Sequence, residues 1–480
     1  MRDAKRAPPA GLPPGKVTVI FSIDTHGSRN ALFDPHESRW LTYAELAARV
    51  QEIARPLREF PKALVFDFCR NDVRSILIYL AAIEAGHAVA LLDDHLRPEL
   101  KQHLIDLYRP EFLSAGAMPA GSLAEVCPGC RQTAESFCGG LHEQLALLLS
   151  TSGSTGSPKF VRLTRRSIAS NAESISEALA IHEDDRAITS LPIHYSYGLS
   201  VLNTHLLCGA SLVLTDEGLT APGFWKAVRD RQCTSFAGVP YSYQILNRLR
   251  LDHLNVPSVH TLTQAGGKLE SSFVARFADL MRARGGRFFV MYGQTEATAR
   301  IAILPSQEVS AKLGSAGKAV PGGAITIEAE PGVTASTGQV GELVYTGPNV
   351  MMGYATGRSD LHLGDVLGGV LRTGDMASID SDGFIYMAGR AKRDAKLYGH
   401  RVNLDEVEDM LRKHGPTAVV SRDEKLRIFC EYGDAAAFAG YQRDLASRLQ
   451  INYLAFEFVR VDKLPTKGSG KIDYQALLAI

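Results

Sequence analysis

The sequence has no net charge to spend on a polyanionic partner. Lys plus Arg and Asp plus Glu are both 52, so no global field favours nucleic acid or an anionic membrane surface. It also lacks an apolar run long enough to cross a bilayer. The most apolar window, near residues 76 to 92, is broken by Glu84 and His87 and flanked by Arg74 and Asp93, which fits a buried helix and strand instead of a membrane span. Residues 1–16 are basic and proline-rich without the apolar stretch of a secretory signal; the expectation is a disordered arm on a cytoplasmic protein. Cysteine is sparse and scattered, at positions 69, 127, 130, 138, 208, 233 and 430, and without a secretion signal reduced thiols are the default. Cys127, Cys130, Cys138 and His142 could together ligate zinc, but their spacing fits no common knuckle, so free thiols are expected. Two catalytic signatures are missing as well. There is no Gly-x-Ser-x-Gly, which argues against a serine hydrolase. The common P-loop, with four residues between its glycines and then Gly-Lys-Ser/Thr, is also absent, which argues against a P-loop kinase or ATPase.

What is present is ordinary in bulk and specific in detail. Hydrophobic content of 45% and charge of 22% suit a globular protein. A chain of 480 residues is too long for one core, so two or more domains are expected. Apolar segments at 63–68, 88–92, 145–149, 160–163, 187–191, 211–214 and 288–291 read as strands. They alternate with helical patterns at 44–60, 71–85, 164–179, 224–231, 241–249 and 271–284. That alternation predicts parallel sheet covered on both faces. From about residue 317 Gly and Pro become dense and the expected strands are short, at 325–327, 342–345, 376–380 and 384–387, with Asp382-Gly383 marking a hairpin turn between the last two. Near residue 389 a smaller unit begins. Its first helix is announced by Asn403 as cap, with Glu406 three residues later. Residues 17–388 are therefore read as the large domain and 389–480 as a small α+β domain.

The most distinctive stretch is Thr151-Ser152-Gly153-Ser154-Thr155-Gly156-Ser157-Pro158-Lys159, set between two predicted strands. Backbone N–H groups of a glycine-rich loop make a concave anion site, hydroxyls add donors, and a lysine at the exit adds a point charge suited to phosphate. A plain surface turn rich in small residues is the other reading of this loop taken alone.

Four further segments decide between them: 292–297 (Tyr292 to Ala297), 372–375 (Arg372 to Asp375), the junction residues Gly389, Arg390, Lys396, Gly399, His400, Arg401 and Glu406, and Lys471 in a glycine-rich C-terminal loop. With the hydroxyl-rich loop, in this order, they resemble the adenylate-forming superfamily over about residues 30 to 475. That superfamily includes acyl- and aryl-CoA synthetases, firefly luciferase and the adenylation domains of nonribosomal peptide synthetases. The resemblance implies an α/β fold: a large N-terminal domain of layered α/β subdomains plus a small β-barrel-like part, and a small mobile α+β C-terminal lid.

It also implies an enzyme that joins a carboxylic acid to a thiol, forming AMP and pyrophosphate. ATP and Mg²⁺ are the implied cofactors. CoA, or the phosphopantetheine of an acyl carrier protein, is the implied acceptor. By this resemblance Thr151, Ser152, Gly153, Ser154, Thr155, Gly156 and Lys159 hold the β- and γ-phosphates. Thr295 bonds the α-phosphate, Glu296 binds Mg²⁺ and Tyr292, beside Gly293, stacks on adenine. Asp375 and Arg390 reach the ribose. Lys471 bridges the carboxylate and α-phosphate during adenylation. Lys392 stands at the hinge, and Lys396, Gly399 and Arg401 face the site in the thiol-transfer pose. His194 polarises or gates the carboxylate. His194, Tyr197, Gly198, Gly238 and Gly267 line the acyl pocket, with Gly266 on the nucleotide side. Amino-acid-activating members place an Asp near Gly198 to meet the substrate ammonium. No acidic residue occurs between Pro192 and Cys208, and an unpaired buried ammonium would be costly, so an uncharged acyl or aryl body is expected.

Overall fold

A computed structural model describes residues 23–114, 125–133, 140–150, 159–390, 393–397, 400–422, 425–449, 451–467 and 471–480. Among these residues the strands form five sheets. The largest runs, edge to edge, through Lys318–Ala319, Ala302–Leu304, Arg287–Tyr292, Thr261–Gln264, Ser235–Gly238, Arg186–Ile188, Ser211–Val213, Asn30–Asp34 and Arg39–Thr42. Six of its strands, from Arg287–Tyr292 across to Asn30–Asp34, are mutually parallel, so their C-terminal ends open on one side of the molecule. A second sheet centres on Leu64–Cys69, Ala88–Asp93 and Leu145–Ser150, which are parallel, and turns antiparallel at Phe160–Thr164. Every residue of Leu64–Cys69 is buried, as expected of a strand covered on both faces.

Local signals set the helix ends. Thr42 accepts from the Glu45 N–H while the Glu45 carboxylate accepts from the Thr42 N–H, a complete capping box. Asp72 and Thr164 cap the next two long helices through the N–H groups of Ser75 and Ser167. The helix Arg165–Leu179 buries Ile168, Ala172, Ile175 and Leu179, the face read from its periodicity.

Three expectations need adjustment. The strand expected over 187–191 ends at Ile188, because the chain then turns into the loop before the helix Ser196–Leu207. The strand expected over 376–380 starts earlier, at Val370. The barrel-like part is an open, five-stranded antiparallel sheet, ordered Val333–Thr334, Ala324–Glu330, Gly341–Thr346, Val370–Ile379, Ile385–Arg390; no pairing among the described residues joins its two edges.

The C-terminal segment packs around cores of its own. Leu397, Val407, Val419, Ile428, Leu445 and Phe456 meet in one cluster, and Ala418, Phe429, Leu464 and Leu477 in another. Asn403 caps the helix Leu404–Leu411 by accepting from the N–H groups of Asp405 and Glu406. Arg393 ties the start of this unit to its body through Glu408 and the Val419 carbonyl. The chain is thus a large N-terminal domain with a small C-terminal one. Among the contacts that seat the small domain on the large one, Lys268 pairs with Asp409 at 2.6 Å, the Lys463 ammonium lies 5.6 Å from the Tyr241 ring centroid, and the Lys471 ammonium lies 5.8 Å from that of Tyr195.

Candidate active site

The site lies where the C-terminal ends of the parallel strands, the open sheet and the small domain converge. The strand Arg287–Tyr292 delivers Tyr292, and the Tyr292 hydroxyl donates to Asp375 Oδ2 at 2.5 Å. Asp375 is 5% exposed and its own N–H donates to the Thr373 hydroxyl. Burial first, and the adjacent Asp375 charge second, hold the Tyr292 phenol well above the usual range, so it stays a donor. Arg390 stands opposite Asp375 in the strand register. Gly293 is forced by packing: a Cβ there would lie 1.9 Å from the Ala299 carbonyl oxygen.

Thr295 and Glu296 follow in one short 3₁₀ turn, Thr295–Ala297. The Thr295 hydroxyl shares a 3.2 Å hydrogen bond with that of Ser196 at the start of the helix Ser196–Leu207. The Glu296 carboxylate accepts from the Tyr354 hydroxyl at 2.7 Å. The ring of the same Tyr354 carries the Lys159 ammonium 3.6 Å from its centroid. One tyrosine therefore spaces an acid from a base, a suitable frame for a cation and an anionic chain between them. A single carboxylate is a sound anchor for Mg²⁺, which keeps water and phosphate oxygens in its remaining positions. Among the described residues no cluster of three or more His, Cys, Asp or Glu is placed to hold a metal ion.

Above this floor Lys471 arrives on the short hairpin closed by the Thr466–Ile472 bridge and by the Lys467 N–H donating to the Lys471 carbonyl. Its ammonium faces Tyr195. Gly266 (φ +83°) lies against the same tyrosine; a Cβ there would come within 2.6 Å of the Tyr195 hydroxyl. Gly267 packs on Pro240, and Gly238 on Ser242 and Tyr243.

His194 turns towards Asp93, at 3.9 Å. Burial lowers its basicity despite that carboxylate, and it is Tyr195 that faces Lys471. A Cβ at Gly198 would fall 2.2 Å from the Pro192 carbonyl oxygen, so a glycine there lets the helix start pack closely on the preceding loop. Tyr197 is buried, its hydroxyl bonded to the Thr263 carbonyl and hydroxyl.

Residues 151–158, Lys392, Gly399 and Cys138 lie outside the described residues, as do the side chains of Cys127, Arg390, Lys396 and Arg401. Lys396 and Arg401 are register partners in the two-stranded hairpin of the small domain. Cys130 is buried and His142 accepts from the Gln144 N–H. Sequence reasoning missed Tyr195, Ser196, Tyr354 and Arg300. Only Arg300 left a signal, as the lone charge in the apolar stretch 297–304.

Comparison with known proteins agrees with this layout. The model of the AMP-binding enzyme family matches residues 21–355. Feruloyl-CoA synthase of an Amycolatopsis species is 29% identical over 462 residues, covering 91% of this chain and 93% of its own length. Isonitrile lipopeptide synthase of Streptomyces coeruleorubidus is 27% identical over all of this chain and 34% of its own. The structure of O-succinylbenzoate CoA synthetase from Bacillus subtilis, solved with ATP and a magnesium ion, superposes with a TM-score of 0.75 at 23% identity, covering 95% of this chain and 98% of that one. The chain belongs to the AMP-binding enzyme family, within the adenylate-forming superfamily.

Proposed function

We propose that this chain activates a carboxylic acid as an acyl adenylate, releasing pyrophosphate from ATP, and then passes the acyl group to the thiol of CoA. The observation that carries the reading is the position of Lys471, whose ammonium comes from the small domain to within 5.8 Å of the Tyr195 ring centroid, over the large domain's strand ends.

A carboxylate cannot expel oxide, so the acid needs a better leaving group. Attack of its oxygen on the α-phosphorus makes the anhydride with AMP. Negative charge gathers on the α-phosphate as this happens, and fixed cations and donors aimed there lower the barrier. Lys471 suits that task because a flexible ammonium can meet carboxylate and phosphate oxygens together. The Thr295 hydroxyl is held in place by Ser196. Tyr292 orients Asp375, whose carboxylate suits the vicinal hydroxyls of a ribose. Mg²⁺ held at Glu296 would neutralise phosphate charge, with Lys159 across Tyr354 adding a second positive group. Thiol transfer would follow rotation of the small domain, withdrawing Lys471 and presenting the hairpin of Lys396 and Arg401, with Lys392 as hinge. The boundary between the moving parts is placed at 388/389.

Relatives that are CoA synthases and span nearly their whole length with this chain favour CoA as acceptor. A carrier-protein phosphopantetheine is the second reading, favoured by the match to isonitrile lipopeptide synthase. No helix among the described residues is long and apolar enough to cross a membrane, in keeping with a cytoplasmic site of action. The test is pyrophosphate and AMP release from Mg·ATP across a panel of acids, run with CoA and with a phosphopantetheinylated carrier protein. Release of ADP and phosphate instead would overturn the proposal.

A further inference from the structure

A narrow cavity, with about 40 Å³ of room for water-sized molecules, runs beneath the helices Arg165–Leu179 and Ser196–Leu207, along the inner strands of the large sheet. Its walls are mostly apolar, with Ile175, Leu179, Val201 and Met291 among them. Its charged lining is Asp185, Arg287 and Arg300; Arg287 donates to the Leu179 carbonyl and the Thr261 hydroxyl, and Arg300 is the more deeply buried arginine. Arg300 is 3% exposed, and no described carboxylate pairs with it. Its guanidinium makes only three long contacts, each 3.3 Å, to Met291 Sδ, the Ala299 carbonyl and the Ser200 hydroxyl. Its Cζ lies 4.1 Å from the Tyr197 ring centroid. Burial lowers its basicity, and the only groups opposing that are two neutral phenols, Tyr197 and Tyr195.

A guanidinium stays charged in a protein. Taken out of water without an anion, it is among the most expensive features a core can hold. Five N–H donors in a planar fork match a carboxylate in a way that a thioether and two neutral oxygens do not. The buried charge therefore reads as one half of an ion pair whose other half comes with the ligand.

We infer that the acid activated here carries a second carboxylate at its far end, bound by Arg300 across an apolar body. This deepens the proposed function and rests on it. Two rings separate the reacting end from the far end. Tyr195 lies beneath Lys471, Tyr197 beneath Arg300, and the two ring centroids are 6.3 Å apart. The carboxylate nearest Lys471 is the one adenylated; the other stays ionised against the guanidinium.

The test compares α,ω-dicarboxylic acids and dicarboxylic aryl acids with their monomethyl esters and with monocarboxylic acids of equal length, by pyrophosphate release from the full chain. The best diacid should exceed its own half-ester by about 10⁴-fold in kcat/KM, a size typical of a site built for a polar group meeting a substrate that lacks it. Arg300→Gln should collapse that ratio towards one, mainly through KM for the diacid, and Arg300→Lys should restore part of it. Half-esters or monoacids turning over as well as diacids would overturn the inference while leaving the ligase reading intact. An equal loss on diacid and half-ester in Arg300→Gln, with unchanged melting temperature, would overturn it too. Should Arg300→Gln not fold, the wild-type ratio decides alone. Pyrophosphate release with no acid of any class would overturn the ligase reading, and this inference with it.

Discussion

Tyr292 and Asp375 come from different sheets and meet in a 2.5 Å hydrogen bond. The bond fixes the carboxylate that suits a ribose to the residue that ends the strand Arg287–Tyr292. Because the Tyr292 phenol is kept protonated by burial and by Asp375, it orients that carboxylate throughout the working pH range. Tyr292→Phe removes one hydrogen bond to a charged group, worth about 1.5–3 kcal/mol. The expected result is a rise of about 10-fold or more in KM for ATP with a small change in kcat, measured by pyrophosphate release at saturating acid.

Glu296 and Tyr354 form the second coupled pair. Glu296→Ala should cut Mg·ATP-dependent turnover by about 100-fold or more, without loss of the folded baseline in circular dichroism. Tyr354→Phe leaves the carboxylate but frees it from its donor, and should raise the Mg²⁺ concentration for half-maximal rate about 10-fold. An unchanged Mg²⁺ titration in both variants would remove this pair from the site.

Gly198 predicts a stability effect. A Cβ 2.2 Å from the Pro192 carbonyl oxygen meets backbone that cannot yield cheaply, so Gly198→Ala should cost about 1–3 kcal/mol. Denaturant unfolding measures it. Gly218→Ala, where nothing lies within 4 Å, is the matched control and should be near neutral.

Asp67 predicts a pH dependence. It is fully buried on the strand Leu64–Cys69, 3.8 Å from Arg74, and burial raises its carboxyl to about 7. An acid whose folded value lies above its unfolded one binds more protons when folded, so stability falls as pH rises between the two values. The melting temperature should decline between about pH 4 and 8. Asp67→Asn should flatten that decline, and an identical slope in the variant would contradict the assignment.

The helix faces, caps and inner strands were legible because each has a local cause: a period, a capping hydroxyl or a run of apolar residues. The helix Ser196–Leu207 was not read. It is buried on nearly all sides, so it shows no amphipathic stripe, and its glycine, tyrosine and threonine argue weakly against helix. The barrel-like part was an expectation of the resemblance; short strands and dense glycine suit an open sheet and a barrel alike, so the sequence pattern did not correct it. Motif residues such as Thr295, Glu296, Asp375 and Lys471 were legible by resemblance. Tyr195, Ser196 and Tyr354 were not, since they matter through long-range contacts that no local pattern encodes. Which side chain faces Lys471 is shown only by the fold, which puts Tyr195 there.

The central claim is that Lys471 serves the first half-reaction and leaves for the second. The direct measurement is Lys471→Ala assayed in two ways, pyrophosphate release from acid and Mg·ATP, and conversion of a supplied acyl adenylate to the CoA thioester. The account predicts a loss of about 100-fold or more in the first and a near wild-type rate in the second. Equal losses in both would contradict it.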